Sequence, residues 1–165
     1  MDGALGFNTF EKQDKVLVGL NGGMDAAVTV RILQEQGFAV QAALVHFAGM
    51  ADDAVETAQN AAKALDVPLH VIEAADTAAD ELLKFQLLMQ TADKLDCRFI
   101  STGHYARVEQ DADECRLRVP EHAECDQTAL LEVLPQEILA RLILPLGEFD
   151  KESVQEIAQD IGCAE

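Results

Sequence analysis

Lys15-Val-Leu-Val-Gly-Leu-Asn-Gly-Gly-Met-Asp-Ala-Ala27 is the stretch from which the fold can be read. Lys15 to Leu20 is a short β-type run, closed by Asn21-Gly22-Gly23. An Ala/Val-rich segment follows, with Ala27, Val30, Arg31, Leu33 and Gln34 at helical spacing, and Gly37 is its stop. Glycines between a strand and a helix let the backbone approach an anion, while the amides at the helix start point towards it. No Gly-Lys-Ser/Thr follows, so this is not a Walker loop, and the three-glycine dinucleotide fingerprint is absent. On spacing alone, such a turn is more often a tight connection than a phosphate site.

Outward from this turn the same alternation repeats. Phe38 to Phe47 is apolar and β-rich. Asp52 and Asp53 open a helix through Val55, Ala58, Ala61, Ala62 and Leu65, with carboxylates where the helix dipole favours them. Leu69 to Ile72 is a third strand, Asp76 to Leu95 a long helix, and Arg98 to Ser101 a fourth strand ending in Thr102-Gly103-His104. Strands alternating with helices predict an α/β fold, a doubly wound parallel sheet with helices on both faces. Ligands of such sheets bind beyond the carboxyl ends of the strands, where the strand order reverses. Both distinctive segments, 21–27 and 101–107, follow strand ends. Residues 1–14 read as an extension and 15–165 as one domain. Within it, 107–125 is a surface hairpin with Cys115, Leu117 and Val119 alternating. Residues 126–165 form a C-terminal helical part, with helices over 136–142 and 151–161.

The chain has 165 residues, 49% hydrophobic and 25% charged, enough to bury a core without disulfides or metal. No apolar run approaches the length of a membrane span, and the first residues lack the pattern of a signal peptide. Four scattered cysteines without a CxxC pair suit reduced thiols, so a cytoplasmic protein is expected. Thirty acidic residues against twelve Lys and Arg give a net charge of -18. That field repels a phosphate backbone, so nucleic acid is not expected to bind the isolated chain. The acidity reads as solubility, or as a surface for a basic partner protein.

The glycine turn resembles the pyrophosphate-binding loop of the N-type ATP pyrophosphatases, Ser-Gly-Gly-x-Asp-Ser. Within that superfamily the chain is similar to the tRNA-specific 2-thiouridylases. The similar segments are 15–25, Leu83-Lys-Phe85, Ser101-Thr-Gly-His-Tyr-Ala-Arg107, Asp126-Gln127 and Leu144-Pro-Leu-Gly-Glu148, in the family's order. The resemblance implies five parallel strands and an adenine nucleotide, ATP or AMP, at their carboxyl edge. It assigns nucleotide contacts to Gly19, Leu20, Asn21, Gly22, Gly23, Met24, Asp25, Ala26, Val45 and Gly103. His104, Asp126 and Gln127 would lie on the tRNA side. Asp25 and His104 are the catalytic candidates, and Mg²⁺ carried by ATP would sit near Asp25. No other metal site is expected. In the family, adenylation activates a uridine carbonyl oxygen, pyrophosphate leaves, and a cysteine persulfide with a second cysteine delivers sulfur.

Several positions depart from that pattern. Asn21 replaces the first serine, and Ala26 and Ala27 replace hydroxyl residues. A hydroxyl bonded to a charged phosphate contributes about 1.5–3 kcal/mol. The family's Pro-Cys-x-x-Cys-Asn segment is missing before Lys84-Phe85, and its second cysteine and C-terminal tRNA-holding domains would fall beyond residue 165. Cys97, Cys115, Cys125 and Cys163 match neither sulfur position. Three functions follow: a weakly active or inactive nucleotide-binding or regulatory subunit, an adenylating enzyme whose sulfur comes from a partner protein, or a scaffold without nucleotide. Retained Gly22, Gly23, Asp25 and Gly103 favour the first. Other candidates have plain readings: His104 as a helix-start residue, Asp25 as a helix cap, His46 and His70 as strand residues, and His122 as an exposed loop residue. Likewise Asp52-Asp53 read as helix-start charges, Cys97 as structural, and Cys125 as an incidental thiol.

Overall fold

In the central strand β1 (Lys15–Gly19), Leu17 packs into one apolar cluster while Val16 and Val18 pack into another, all three without solvent exposure. This two-sided burial is what a strand covered on both faces requires. The computed structural model describes residues 15–20, 23–47, 52–74, 81–111, 114–122 and 126–162. The elements after β1 are α1 (Met24–Glu35), β2 (Ala39–Phe47), α2 (Ala54–Leu65), β3 (Leu69–Ala74), α3 (Glu81–Lys94) and β4 (Phe99–Ser101). A hairpin of β5 (Arg107–Asp111) and β6 (Glu114–Arg118) comes next. The remainder holds a 3-10 turn (Thr128–Leu131), α4 (Gln136–Leu139), β7 (Leu142–Ile143), a second 3-10 turn (Pro145–Glu148) and α5 (Lys151–Asp160).

Five parallel strands lie in the order β3-β2-β1-β4-β7. The chain winds from β1 outward to β3, then crosses to β4 on the other side of β1. The reversal of strand order therefore falls between β1 and β4, whose following loops are the two segments that the sequence marks out. Helices α1 and α2 cover one face through Ala27, Val30, Leu33, Ala61, Ala62 and Leu65. Helices α3 and α4 cover the other through Phe85, Leu88, Ala92, Ile138 and Leu139. Helix α5 packs on the outside of α1, with Val154 and Ala158 against Val28, Ile32, Tyr105 and Leu146.

The helices α1, α2 and α3 each end beside a residue in the left-handed region: Gly37 (φ 97°), Asp66 (φ 58°) and Asp96 (φ 59°). Only the first is plain in the sequence, since Asp adopts this conformation less readily than Gly. The fifth strand of the expected sheet, β7, falls within the C-terminal helical part, and the helix expected over 136–142 closes at Leu139. A two-residue strand is too short to show a period, and Leu142 extends the helical pattern before it. Tertiary contacts hold β7 in place. The Ser101 hydroxyl donates to the Ile143 carbonyl. The Arg141 guanidinium donates to the carbonyls of Arg98 and Cys97 and to the Asp93 carboxylate, each at 2.8 Å.

The hairpin is anchored by one side chain. Gln136 accepts the Cys115 N–H at 2.7 Å and donates to the Cys115 carbonyl at 2.6 Å, so Cys115 lies buried against Leu131, Leu134 and Ile138. The helix described as Glu81–Lys94 covers the later part of the segment expected over 76–95; residues 75–80 lie outside the described residues. Among the described residues, no helix is long and apolar enough to cross a membrane.

Candidate functional site

At the carboxyl edge of the sheet lies a cavity of about 610 Å³. Gly19, Leu20, the N-cap Gly23 and the first turn of α1 (Met24, Asp25 and Ala26) form one wall. The end of β2 contributes Ala43, Leu44, Val45 and Phe47, and α3 contributes Lys84, Phe85 and Leu88. Thr102, Gly103 and His104 close the side beyond β4, with Gln127 and Lys151 completing the lining. The volume is that of a small-molecule site.

Gly103 explains why the two loops meet. A Cβ at this position would stand 2.8 Å from both the Ala26 nitrogen and the Asp25 carbonyl carbon. Both are backbone atoms that cannot swing aside, so any side chain here would push the second loop off the start of α1. The glycine thus lets the loop after β4 lie directly on the start of α1.

Asp25 is the second residue of α1, and the N-cap position belongs to Gly23 without a side-chain cap. The capping role expected for Asp25 is therefore not the one found: its Oδ1 accepts from the Tyr105 hydroxyl at 3.1 Å. Tyr105 has no solvent exposure. Its N–H donates to Gln127 Oε1 at 2.8 Å, and the Gln127 N–H donates back to its carbonyl at 3.0 Å. Gln127 is thus a clamp on the Tyr105 backbone as well as part of the cavity wall.

His104 lies in the loop between β4 and β5, and no helix starts there, so the helix-start reading does not hold. Its Nδ1 shares a 2.7 Å hydrogen bond with the Thr102 hydroxyl, and its ring lies 6.1 Å from that of Phe85. Asp126 does not line the cavity. It is exposed and accepts from the Thr128 hydroxyl at 2.6 Å and the Thr128 N–H at 2.9 Å, which hold its carboxyl below the ordinary aspartate range.

Ala26 lines the cavity, but Ala27 does not. Ala27 is fully buried in the cluster between α1 and the sheet, so a hydroxyl there would face the core, not a phosphate. The loss attributed to Ala27 is accordingly set aside. Asn21, Gly22, Cys125, Cys163 and residues 1–14 lie outside the described residues.

The remaining histidines sit elsewhere. His46 Nδ1 pairs with Glu73 Oε2 across β2 and β3 at 3.1 Å, and His70 Nε2 with Gln41 Oε1 at 2.8 Å. His122 is half-buried, more enclosed than expected. Cys97 and Cys115 are buried away from the cavity. Burial pushes the Cys97 thiol up, and the charges of Lys15 and Arg141 only partly offset it. Among the described residues no grouping of three or more metal-ligating side chains occurs.

Lys151 lines the cavity although sequence reading misses it, and Lys84 enters there only as part of a matching segment. Lys151 lies at the start of α5 with its Nζ 5.6 Å from the centre of the Tyr105 ring. The two lysines face a cavity whose described lining holds one carboxylate, Asp25, in a chain of net charge -18. Their separation in sequence, on two different helices, hides this local reversal of sign.

A family model described as the tRNA methyl transferase HUP domain matches residues 14–82 and 74–164. The two matches overlap over residues 74–82. A tRNA-specific 2-thiouridylase of Treponema denticola is 35% identical over 183 residues, covering 90% of this chain and 50% of that protein. The Clostridium perfringens counterpart is 30% identical, covering 90% and 51%. The chain spans about half the length of these curated relatives. The matched length exceeds the 165 residues of the chain, so the relatives hold internal segments that it does not. Among solved structures, the U34-tRNA thiolase NcsA of Methanococcus maripaludis, determined with its [4Fe-4S] cluster, superposes with a TM-score of 0.58. It is 14% identical over 98% of this chain and 61% of that one, a likeness of fold.

Proposed function

This chain belongs to the family of the tRNA methyl transferase HUP domain, and from that premise we propose that its cavity binds an adenine nucleotide as part of a tRNA-thiolation system. The observation that carries the reading is the meeting of the first turn of α1, Gly103 and two lysines around one cavity at the switch point. A helix N-terminus favours anions, and Lys84 and Lys151 add charge of the right sign for phosphates. Val45, Phe47 and Phe85 offer apolar surface to a base. Asp25, held by Tyr105, is the carboxylate that would meet Mg²⁺ carried by the phosphates. When bound, ATP supplies the adenylyl group that activates a carbonyl oxygen.

In this reading the chain is a binding or regulatory subunit with weak or no turnover. Ala26 offers the cavity no hydroxyl, so a hydrogen bond that would strengthen towards the transition state is missing. Cys97 and Cys115, buried away from the cavity, are unsuited to carrying sulfur to it. A second reading rests on Asp25, His104 and the two lysines sharing the cavity: the chain adenylates, and a partner protein delivers the sulfur. Pyrophosphate release from ATP, Mg²⁺ and tRNA decides between them. Release that disappears in Asp25→Ala favours the enzyme; nucleotide binding without release favours the subunit.

A further inference from the structure

We propose that Thr102 is a positioning residue that holds His104 in its Nε2–H form, so that His104 offers the cavity a neutral hydrogen-bond donor for a carbonyl or phosphoryl oxygen, and not a base. The proposal concerns the state of one imidazole, and only its ligand contact rests on the nucleotide reading. Thr102 directly follows β4, and both it and His104 line the cavity. The Thr102 hydroxyl oxygen lies 2.7 Å from His104 Nδ1. Nδ1 is thereby committed, and a hydrogen bond from the imidazole to a molecule in the cavity runs through Nε2.

The direction of the shared proton follows from Thr102. A hydroxyl has one proton to donate and two lone pairs with which to accept. Thr102 is 7% exposed, and among the described residues its hydroxyl has no hydrogen-bond partner other than His104. Were the hydroxyl to accept from Nδ1–H, its own proton would be left buried and unbonded, which costs more than leaving a lone pair unused. Donating to Nδ1 satisfies that proton, and the neutral imidazole then carries its hydrogen on Nε2. The buried Phe85 ring stands beside the imidazole, 6.1 Å away and tilted by 31°, a neighbour without polar atoms to compete for Nδ1. With a proton already on Nε2, His104 in the adenylating reading steadies a developing negative oxygen and does not take a proton from a nucleophile.

The test is nitrogen-15 NMR of the imidazole rings in the full chain, at a pH well above the ordinary histidine value of about 6.5. His104 is assigned as the one of the four histidine patterns that His104→Asn removes. The wild type should show a single tautomer, with Nδ1 at an unprotonated and Nε2 at a protonated shift. Thr102→Val keeps the branched shape and removes the hydroxyl, and should give the averaged shifts of a ring exchanging between tautomers. Thr102→Ser should restore the wild-type pattern. A protonated Nδ1 in the wild type, or the same shifts in wild type and Thr102→Val, overturns the proposal. Titration with ATP then reads the ligand contact, and the Nε2 resonance should move saturably. Calorimetric binding of ATP without that movement overturns the donor role. No binding of ATP at all overturns the nucleotide reading, while the ring shifts still decide the tautomer.

Discussion

The Tyr105 hydroxyl donates to the Asp25 carboxylate at 3.1 Å, joining the loop after β4 to the first turn of the helix after β1. Strand order alone brings these segments together, since β1 and β4 are neighbours flanking the switch point. The hydrogen bond then fixes how they meet. Replacing Tyr105 with Phe keeps the ring in its buried place and removes that bond. Thermal unfolding should show a loss of about 1 kcal/mol, given that Asp25 is half-buried. Nucleotide affinity measured with Mg²⁺ should fall more than affinity measured without it, a difference that a purely structural role would not produce.

Gly103→Ala tests the close approach of the two loops. Its Cβ would press on the backbone of Asp25 and Ala26, and relieving such overpacking costs about 1–3 kcal/mol. Both stability and nucleotide binding should suffer. Gly147 is the control: a Cβ there would run into the Ala106 carbonyl, away from the cavity lining. Gly147→Ala should lower the melting temperature while the residual folded protein binds nucleotide with little change.

Ala26 and Ala27 should respond differently to serine. At Ala26 the new hydroxyl faces the cavity and should tighten ATP binding, read by titration. At Ala27 it would be buried in the core without a designed partner, costing about 1–3 kcal/mol of stability and bringing no gain in affinity.

Much of this architecture is legible in the sequence because local signals and tertiary demands agree. Val16, Leu17 and Val18 form a β-rich run, and Gly37 is a helix stop. Where the structure departs, the deciding forces are not local. The strand Leu142–Ile143 exists because Arg141 and Ser101 hold it beside β4, and neither bond leaves a trace in periodicity. Gln127 stands in a recognisable segment, yet its bonding to the Tyr105 backbone requires the fold. Lys151 reaches the cavity only because α5 packs across α1, 126 positions after the glycine turn begins to matter at Asp25. The side-chain direction of Ala27, towards the sheet, follows from helix phase once α1 is seated.

Strong acid should loosen the start of the last helix. Asp150 accepts the Ser153 amide, which holds its carboxyl below the ordinary aspartate value of 3.8. A depressed folded value means that the cap's contribution is complete above the unfolded value and lost as pH falls through the folded one. Melting temperatures of wild type and Asp150→Ala should therefore differ near neutrality and converge in strong acid. A difference that persists unchanged below the folded value would contradict this assignment.

The two described cysteines should be slow towards thiol reagents. Cys97 and Cys115 are buried, and burial raises the Cys97 thiol. Ellman titration of native protein should label neither until denaturant is added. Rapid labelling of either at neutral pH would reopen their candidacy as sulfur carriers.

The central claim, that this cavity is an adenine-nucleotide site, is tested most directly by calorimetric titration of the full 165-residue chain with ATP and a non-hydrolysable analogue, with and without Mg²⁺. Saturable binding of both, weakened by Asp25→Ala and by Lys84→Met, is the predicted result. Absence of heat and of any thermal shift with either ligand under both conditions would contradict it.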